Sequence, residues 1–294
     1  GTHFLHHRLE RIRFTQASND GTPAEQLVHG FHSLADTATI NTVEETKTLE
    51  SSGNKFTQML YAAAQMPGVR IKREAWLRSA LKRYCTEEQL AVAIADSPAA
   101  AGIPLSIISQ AARTSIKYET SKVTGLSTLA GIPGGLAMVG TLPADTVQHV
   151  GHMLRIAQKL AYLYSWPDLF EQKEELDEAT KNVLILFLGV MLGTQMANQA
   201  VTQVAGMIAK NVAKKLPQQA LTKGVIYPIV KKVAGYIGIN MTKRIFANGV
   251  AKVVPVIGAA VSGGVTLGTF LPMAKRLQKH LADLELAKPG LRHS

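Results

Sequence analysis

Asp145, His149 and His152 come closest to a chemical site in this sequence. At i, i+4 and i+7 of a helix they project within about 60° of one another. A carboxylate with two imidazoles is a partial ligand set for a borderline metal, and equally a partial acid–base set. The same helical side also carries Gln148, Arg155 and Lys159, while Val147, Val150, Leu154, Ala157 and Ala161 fall opposite. That is the pattern of an ordinary amphipathic helix with a polar, solvated face. Asp145 closely follows Pro143, which places it in the first turn, where a carboxylate offsets the helix dipole. No metal site and no cofactor are therefore expected, with His149 and His152 the weak ligand candidates. His3, His6 and His7 form a second metal-like trio near the start.

Other chemistries are excluded by what the sequence lacks. Gly131-Ile132-Pro133-Gly134-Gly135 is glycine-rich, but no Gly-Lys-Ser/Thr follows, so it is not a phosphate-cradling loop. No dinucleotide fingerprint, nucleophile elbow or zinc-protease motif occurs. The single cysteine, Cys85, excludes an internal disulfide framework, fits a reducing compartment and reads as structural. Ala260, Gly264 and Gly268 are spaced by four, as are Gly131 and Gly135, and small residues at that spacing let two helices approach closely.

These residues need helices to position them. The 294 residues suit one or two domains. Positions 1–52 are polar with weak periodicity and read as a partly ordered N-terminal arm, ahead of a helical domain at 53–288. Trp76, Leu77, Ala80, Leu81 and Tyr84 recur at helical spacing. Thr86-Glu87-Glu88-Gln89 spells a capping box, and the helix it opens stops near Asp96-Ser97-Pro98. Pro104 suits the start of the next helix, through Ile107, Ile108, Ala111 and Ile116. A further helix is expected at 144–165.

Three stretches carry no formal charge: 123–144, 182–209 and 253–274. A bilayer core requires about 20 apolar residues. The first and third stretches are interrupted by Gly and Pro, and the second is continuously apolar only over 183–192. They read as buried core helices, with partial insertion into a membrane as the alternative. Ile226, Ile229, Val230, Val233 and Ile237 mark the apolar face of a helix at 225–238. Asn240 is placed to cap another, at 241–254, carrying Ile245, Phe246, Val250 and Val253. Strict alternation is nearly absent. The expected fold class is all-α, a helical bundle whose apolar core helices are interrupted by Gly and Pro.

The charge distribution bears on partners. Positions 1–178 hold 17 basic and 19 acidic side chains, whereas positions 179–282 hold 13 basic ones and no acid. Such asymmetry suggests an anionic partner: phospholipid head groups, nucleic acid or an acidic protein. Lys214, Lys215, Lys231, Lys232, Lys243, Arg244 and Lys252 fall within 39 positions uninterrupted by an acid, and are the candidate lipid-binding residues. Nucleic acid ranks below membrane because the segment has few aromatics for stacking and no known nucleic-acid-binding signature. Its basic residues are also separated by very apolar stretches.

Two ordered segments resemble a family. One comprises Gly131-Ile132-Pro133-Gly134-Gly135, then Leu142-Pro143-Ala144-Asp145, then Leu160-Ala161-Tyr162-Leu163-Tyr164-Ser165-Trp166. The other is Val254-Pro255-Val256-Ile257-Gly258-Ala259-Ala260-Val261-Ser262-Gly263-Gly264, followed by Met273-Ala274-Lys275-Arg276-Leu277. In order and spacing these resemble the two signatures of the EcsC family of bacterial proteins, across positions 71–284. The resemblance implies a helical, often membrane-associated protein without a settled biochemical activity. The family's recurrent acidic position maps to Asp145. Ser165 stands where the family commonly has glycine, and the two histidines fall outside its pattern.

The resulting expectation is a non-enzymatic helical protein, cytoplasmic and peripheral to the membrane. It would bind anionic lipid or a membrane protein through the acid-free segment. The alternative is an enzyme on a lipid or membrane-proximal substrate, with Asp145 as acid/base and Tyr162, Tyr164, His149 or His152 nearby. The second alternative is nucleic-acid binding. No small-molecule substrate is indicated.

Overall fold

A computed structural model describes residues 23–125, 144–170, 175–211, 215–251 and 258–289. Among them are ten α-helices and no strand. The helices are α1 (Pro23–Gln65), α2 (Arg73–Leu81), α3 (Glu87–Ala95), α4 (Leu105–Gly125) and α5 (Ala144–Leu163), then α6 (Glu178–Met191), α7 (Gln195–Lys210), α8 (Gln218–Thr222), α9 (Tyr227–Ala251) and α10 (Gly258–Asp283). A 3-10 turn, Glu285–Ala287, follows. The chain divides into two units, Gly1–Lys47 and Thr48–Ser294, and the division falls inside α1. The hydrophobic core described below belongs to the second unit. The described arrangement is all-α, and among the described residues no helix is long and apolar enough to cross a membrane.

The centre is α6, whose apolar run over 183–192 is the most hydrophobic in the chain. Every residue from Asn182 to Met191 is buried, and α5, α7, α8, α9 and α10 pack around it. Burying each large apolar side chain contributes about 1.5–3 kcal/mol, which is why this segment is helix core rather than surface. Asp177 caps its start, accepting from the Thr180 amide at 2.7 Å. Its end is a Schellman motif with Gly193 at φ 83°: Thr194 N–H donates to Gly189 O and Gly193 N–H to Val190 O. Arg276 of α10 donates to the Met191 carbonyl, placing a cation at the negative helix end. Asn182, buried just ahead of the apolar run, donates to Leu221 O at 2.9 Å, so its amide nitrogen is satisfied.

Glycines set the closest helix approaches. A Cβ on Gly189 would lie 2.6 Å from Val233 and 2.7 Å from Ala197, so α6 meets α7 and α9 only without one. On α9, a Cβ on Gly238 would lie 2.1 Å from the Ser52 carbonyl oxygen, and one on Gly235 2.8 Å from that of Leu49. The small residues expected to do this, Ala260, Gly264 and Gly268, lie on α10 where side-chain surroundings are outside the described residues.

Two expected breaks do not occur. The helices expected at 225–238 and 241–254 are one, because α9 continues through Asn240. The Asn240 side chain donates to Tyr236 O at 2.8 Å, bonding back into the helix instead of capping a new one. Ile237 and Met241 are buried on either side of this position, and that burial favours continuity. Likewise α10 runs through Gly263, Gly264 and Pro272. An internal proline costs about 3 kcal/mol, but Phe270, Met273, Ala274, Leu277 and Leu281 bury one face of α10 and outweigh it.

The capping box forms as its residues require: the Thr86 hydroxyl accepts from Gln89 N–H, and the Gln89 side chain accepts from Thr86 N–H, both at 3.2 Å. The carbonyl end of this helix, α3, is held from α2. Arg73 donates to Ile94 O and Asp96 O, both at 2.7 Å. α5 covers the sequence expected, 144–165, ending two residues earlier in a second Schellman motif. Trp166 N–H donates to Ala161 O and Ser165 N–H to Tyr162 O, with Ser165 at φ 68°. Here a serine occupies the left-handed position that glycine usually takes.

Candidate functional site

The side of α5 read from sequence as a solvated polar face is partly turned inward: Lys159 is buried, and Gln148, His149, His152 and Arg155 are half-buried. Val147, Val150, Leu154, Ala157 and Ala161 are buried as expected, as is Gln158 beside them, but Lys159 on the polar side is buried too. The cause is one residue on α4. Glu119 lies three positions after Ile116 and eleven after Ile108, in the apolar stripe of that helix, and its side chain is 0% exposed. A carboxylate there needs cationic partners. Lys159 Nζ donates to Glu119 Oε1 at 2.6 Å, and the Arg155 fork donates through Nε to Oε2 at 3.2 Å and through Nη2 to Oε1 at 3.1 Å.

The neighbours of this cluster are aromatic and cationic. Lys159 Nζ lies 4.4 Å from the Trp76 ring centre and 5.5 Å from that of Tyr118, and Lys122 Nζ lies 4.6 Å from Tyr118. Trp76 also donates its indole N–H to the Lys159 carbonyl at 3.1 Å, tying α2 to α5. Burial by itself would raise the Glu119 carboxyl, but hydrogen bonds from Arg155 and Lys159 overcome it and hold the group below its ordinary value. Burial pulls the Lys159 ammonium below its ordinary value, with Glu119 opposing. Burial lowers the His152 imidazole too; Glu119 opposes this, and Arg155 and Lys122 add to it.

Gln158 anchors the chain ahead of α2. Its Nε2 donates to Val69 O at 3.0 Å and to Leu154 O at 2.9 Å, and its Oε1 accepts from Ile71 N–H at 2.8 Å. Sequence inspection missed Glu119. The available signal was a lone acid at helical spacing within an apolar stripe, matched by two cations one turn apart on a helix some 36–40 residues later.

Of the three residues singled out for chemistry, the side chains of His149 and His152 are described and that of Asp145, in the first turn of α5, is not. His149 meets Phe270 of α10 edge-on, at 6.5 Å between ring centres. His152 is half-buried, and its Nδ1, which is buried, has no hydrogen-bond partner among the described residues. Among the described residues no group of three His, Cys, Asp or Glu side chains could hold a metal ion. Tyr164 is buried, and its hydroxyl accepts from Gln278 Nε2 at 3.3 Å. Gly131, Pro133, Gly134, Gly135 and Pro255 lie outside the described residues; Gly258 opens α10, and Gly263 and Gly264 fall in its second turn. Cys85 is a half-buried free thiol whose pKa burial raises, the opposite of an activated nucleophile.

Of the seven basic candidates, Lys215, Lys231 and Lys232 are described and exposed. Lys243 and Arg244 lie on α9 with side chains outside the described residues, as Lys214 and Lys252 are altogether. α9 presents two unlike faces. Val230, Val233, Ile237 and Met241 are buried, as is Ile226 just ahead of the helix. Outward, Lys232 and Tyr236 stand one turn apart, flanked by Lys231, whose Nζ lies 5.1 Å from the Tyr227 ring centre. Just before α9, Val225 is 69% exposed. Comparison with protein families, with curated proteins and with solved structures finds no match to this chain.

Proposed function

We propose that this chain is a non-enzymatic, peripheral membrane-associated protein of the EcsC family, and that it binds anionic lipid through the outward face of α9. The observation that carries the proposal is the make-up of that face, exposed Lys231 and Lys232 beside exposed Tyr236, in a 104-residue segment without an acid, with Val225 exposed just ahead of the helix. Lys and Arg near an anionic leaflet contribute about 1 kcal/mol each. Tyrosine suits the headgroup layer, since its ring is apolar and its hydroxyl polar. A solvated basic surface needs neither the tyrosine nor the valine.

Support for the family assignment comes from Ser165. The family's glycine position coincides with the one non-glycine residue at positive φ among the described residues, where glycine is the least strained choice.

Co-sedimentation with vesicles tests the proposal. Binding is expected to rise with the fraction of anionic lipid, to fall as salt rises, and to be lost in Lys231→Glu/Lys232→Glu with the helical content unchanged. Binding indifferent to both salt and charge reversal contradicts it. A nucleic-acid shift assay run alongside separates the nucleic-acid alternative.

A further inference from the structure

The cluster between α4 and α5 holds more positive charge than its one carboxylate balances. Glu119 faces Arg155 and Lys159 directly, with Lys122 and His152 next in line, and among the described residues no second acid reaches them. Glu119 and Lys159 are nearly inaccessible, and the Arg155 side chain is 19% exposed. The surplus positive charge sits on Arg155 and half-buried Lys122, where an anion from solvent can meet it.

The unused donors point the same way. A guanidinium offers five N–H groups in a planar fork and an ammonium three. Arg155 gives Nε and one Nη2 hydrogen to Glu119, so its Nη1 pair is unspent, and Lys159 gives one hydrogen to the same carboxylate. The Arg155 Nη1 side is bounded by Gly68 at φ 74°, where a Cβ would come within 3.3 Å of Nη1. The cluster opens outward beside half-buried Lys122 and Tyr118, which is 53% exposed.

We infer that Arg155 and Lys122 form a binding site for a phosphate-type oxyanion, one that accepts from the free guanidinium edge and is neutralised by the Lys122 ammonium, with the buried Lys159 charge behind it. Arginine's fork matches the spacing of two phosphate oxygens, and a lysine supplies the point charge beside it. The same chemistry is offered by free phosphate and by a phospholipid head group. This site is separate from the outward face of α9 and does not depend on it.

Titration of inorganic phosphate into the full chain at low ionic strength is the test, with the Trp76 ring as reporter because it lies 4.4 Å from Lys159 Nζ. A saturable fluorescence change is expected, absent in Trp76→Phe. Arg155→Lys keeps the charge but loses the fork, and is expected to weaken binding about tenfold. Lys122→Ala touches only a half-buried side chain, so it reads the site without endangering the fold, and is expected to weaken binding about three- to tenfold. Lys231→Glu/Lys232→Glu is expected to leave phosphate binding unchanged. A parallel titration with short-chain phosphatidic acid, below its micelle concentration, identifies the source. At least tenfold tighter binding than phosphate assigns a head group; equal binding assigns the free oxyanion. A flat titration overturns the inference. So does a response reproduced by sodium chloride at matched ionic strength, or one identical in the wild type, Arg155→Lys and Lys122→Ala.

Discussion

The Glu119 carboxylate and the Lys159 ammonium meet at 2.6 Å although 40 residues separate them in the chain, and both side chains are almost wholly buried. The pair joins α4 to α5 at the one point where the apolar stripe of α4 is interrupted by a charge. Removing one member of such a pair costs more than the pair contributes, because the other charge stays buried without its partner. Glu119→Gln should therefore destabilise the chain by about 3–5 kcal/mol. Glu119→Leu combined with Lys159→Met should cost less than the sum of the two single changes. Denaturant melts of the four proteins in the cycle check this, and strict additivity would mean the pair is not coupled.

Acid should weaken the fold through His152. Burial holds this imidazole below its ordinary value of 6.5, so over the window between its folded value and 6.5 the unfolded chain binds the proton and the folded chain does not. Stability therefore rises with pH across that window and is reduced throughout below it. Glu119 acts in the same sense at lower pH: its contribution is present above 4.5 and lost as pH falls through its depressed folded value. His280, also lowered by burial, adds a similar slope from α10. Unfolding free energies measured from about pH 7 down to about pH 5 should fall, and His152→Gln should flatten part of the fall. An unchanged slope in that variant would place the titration elsewhere.

Ser165 combines an unfavourable backbone with a useful side chain. At φ 68° a residue with a Cβ costs about 1–2 kcal/mol, while the Ser165 hydroxyl accepts from the buried Ala99 amide at 3.0 Å. Glycine would relieve the backbone and lose the hydrogen bond, leaving stability within about 1 kcal/mol of the parent. Alanine would keep the strain and lose the bond, costing about 1–3 kcal/mol. The order of the two thermal midpoints decides: Ser165→Ala at or above Ser165→Gly would contradict this account.

Much of this fold follows from local rules that are visible in the sequence. The capping box at Thr86, the first turn of α5 at Ala144, and the buried helix over 183–192 all rest on signals within a few residues of one another. Asn240 misleads because its cap preference is real but weak, and burial of Ile237 and Met241 overrides it. The Glu119 cluster was legible only in part, for a different reason: the lone acid shows in the stripe of α4, but the partners that meet it do not. The side of α5 holding Arg155 and Lys159 has the composition of a solvated face, and only the packing of α4 against α5 turns it inward. Long-range pairing of that kind leaves no periodicity to read. The outward face of α9 was legible as charge, but the exposure of Tyr236 and Val225 beside it was not.

Membrane binding through α9 is tested most directly at Tyr236, which is 42% exposed beside Lys232. In Tyr236→Trp the new indole reports where that face sits, with the signal of Trp76 and Trp166 subtracted using the parent chain. On vesicles rich in anionic lipid, its emission should shift to the blue and be quenched by lipids brominated on the acyl chains near the headgroup, and both effects should vanish in Lys231→Glu/Lys232→Glu. Vesicle-bound protein whose indole at 236 keeps the emission of a water-exposed ring would contradict the proposal that this face meets the membrane.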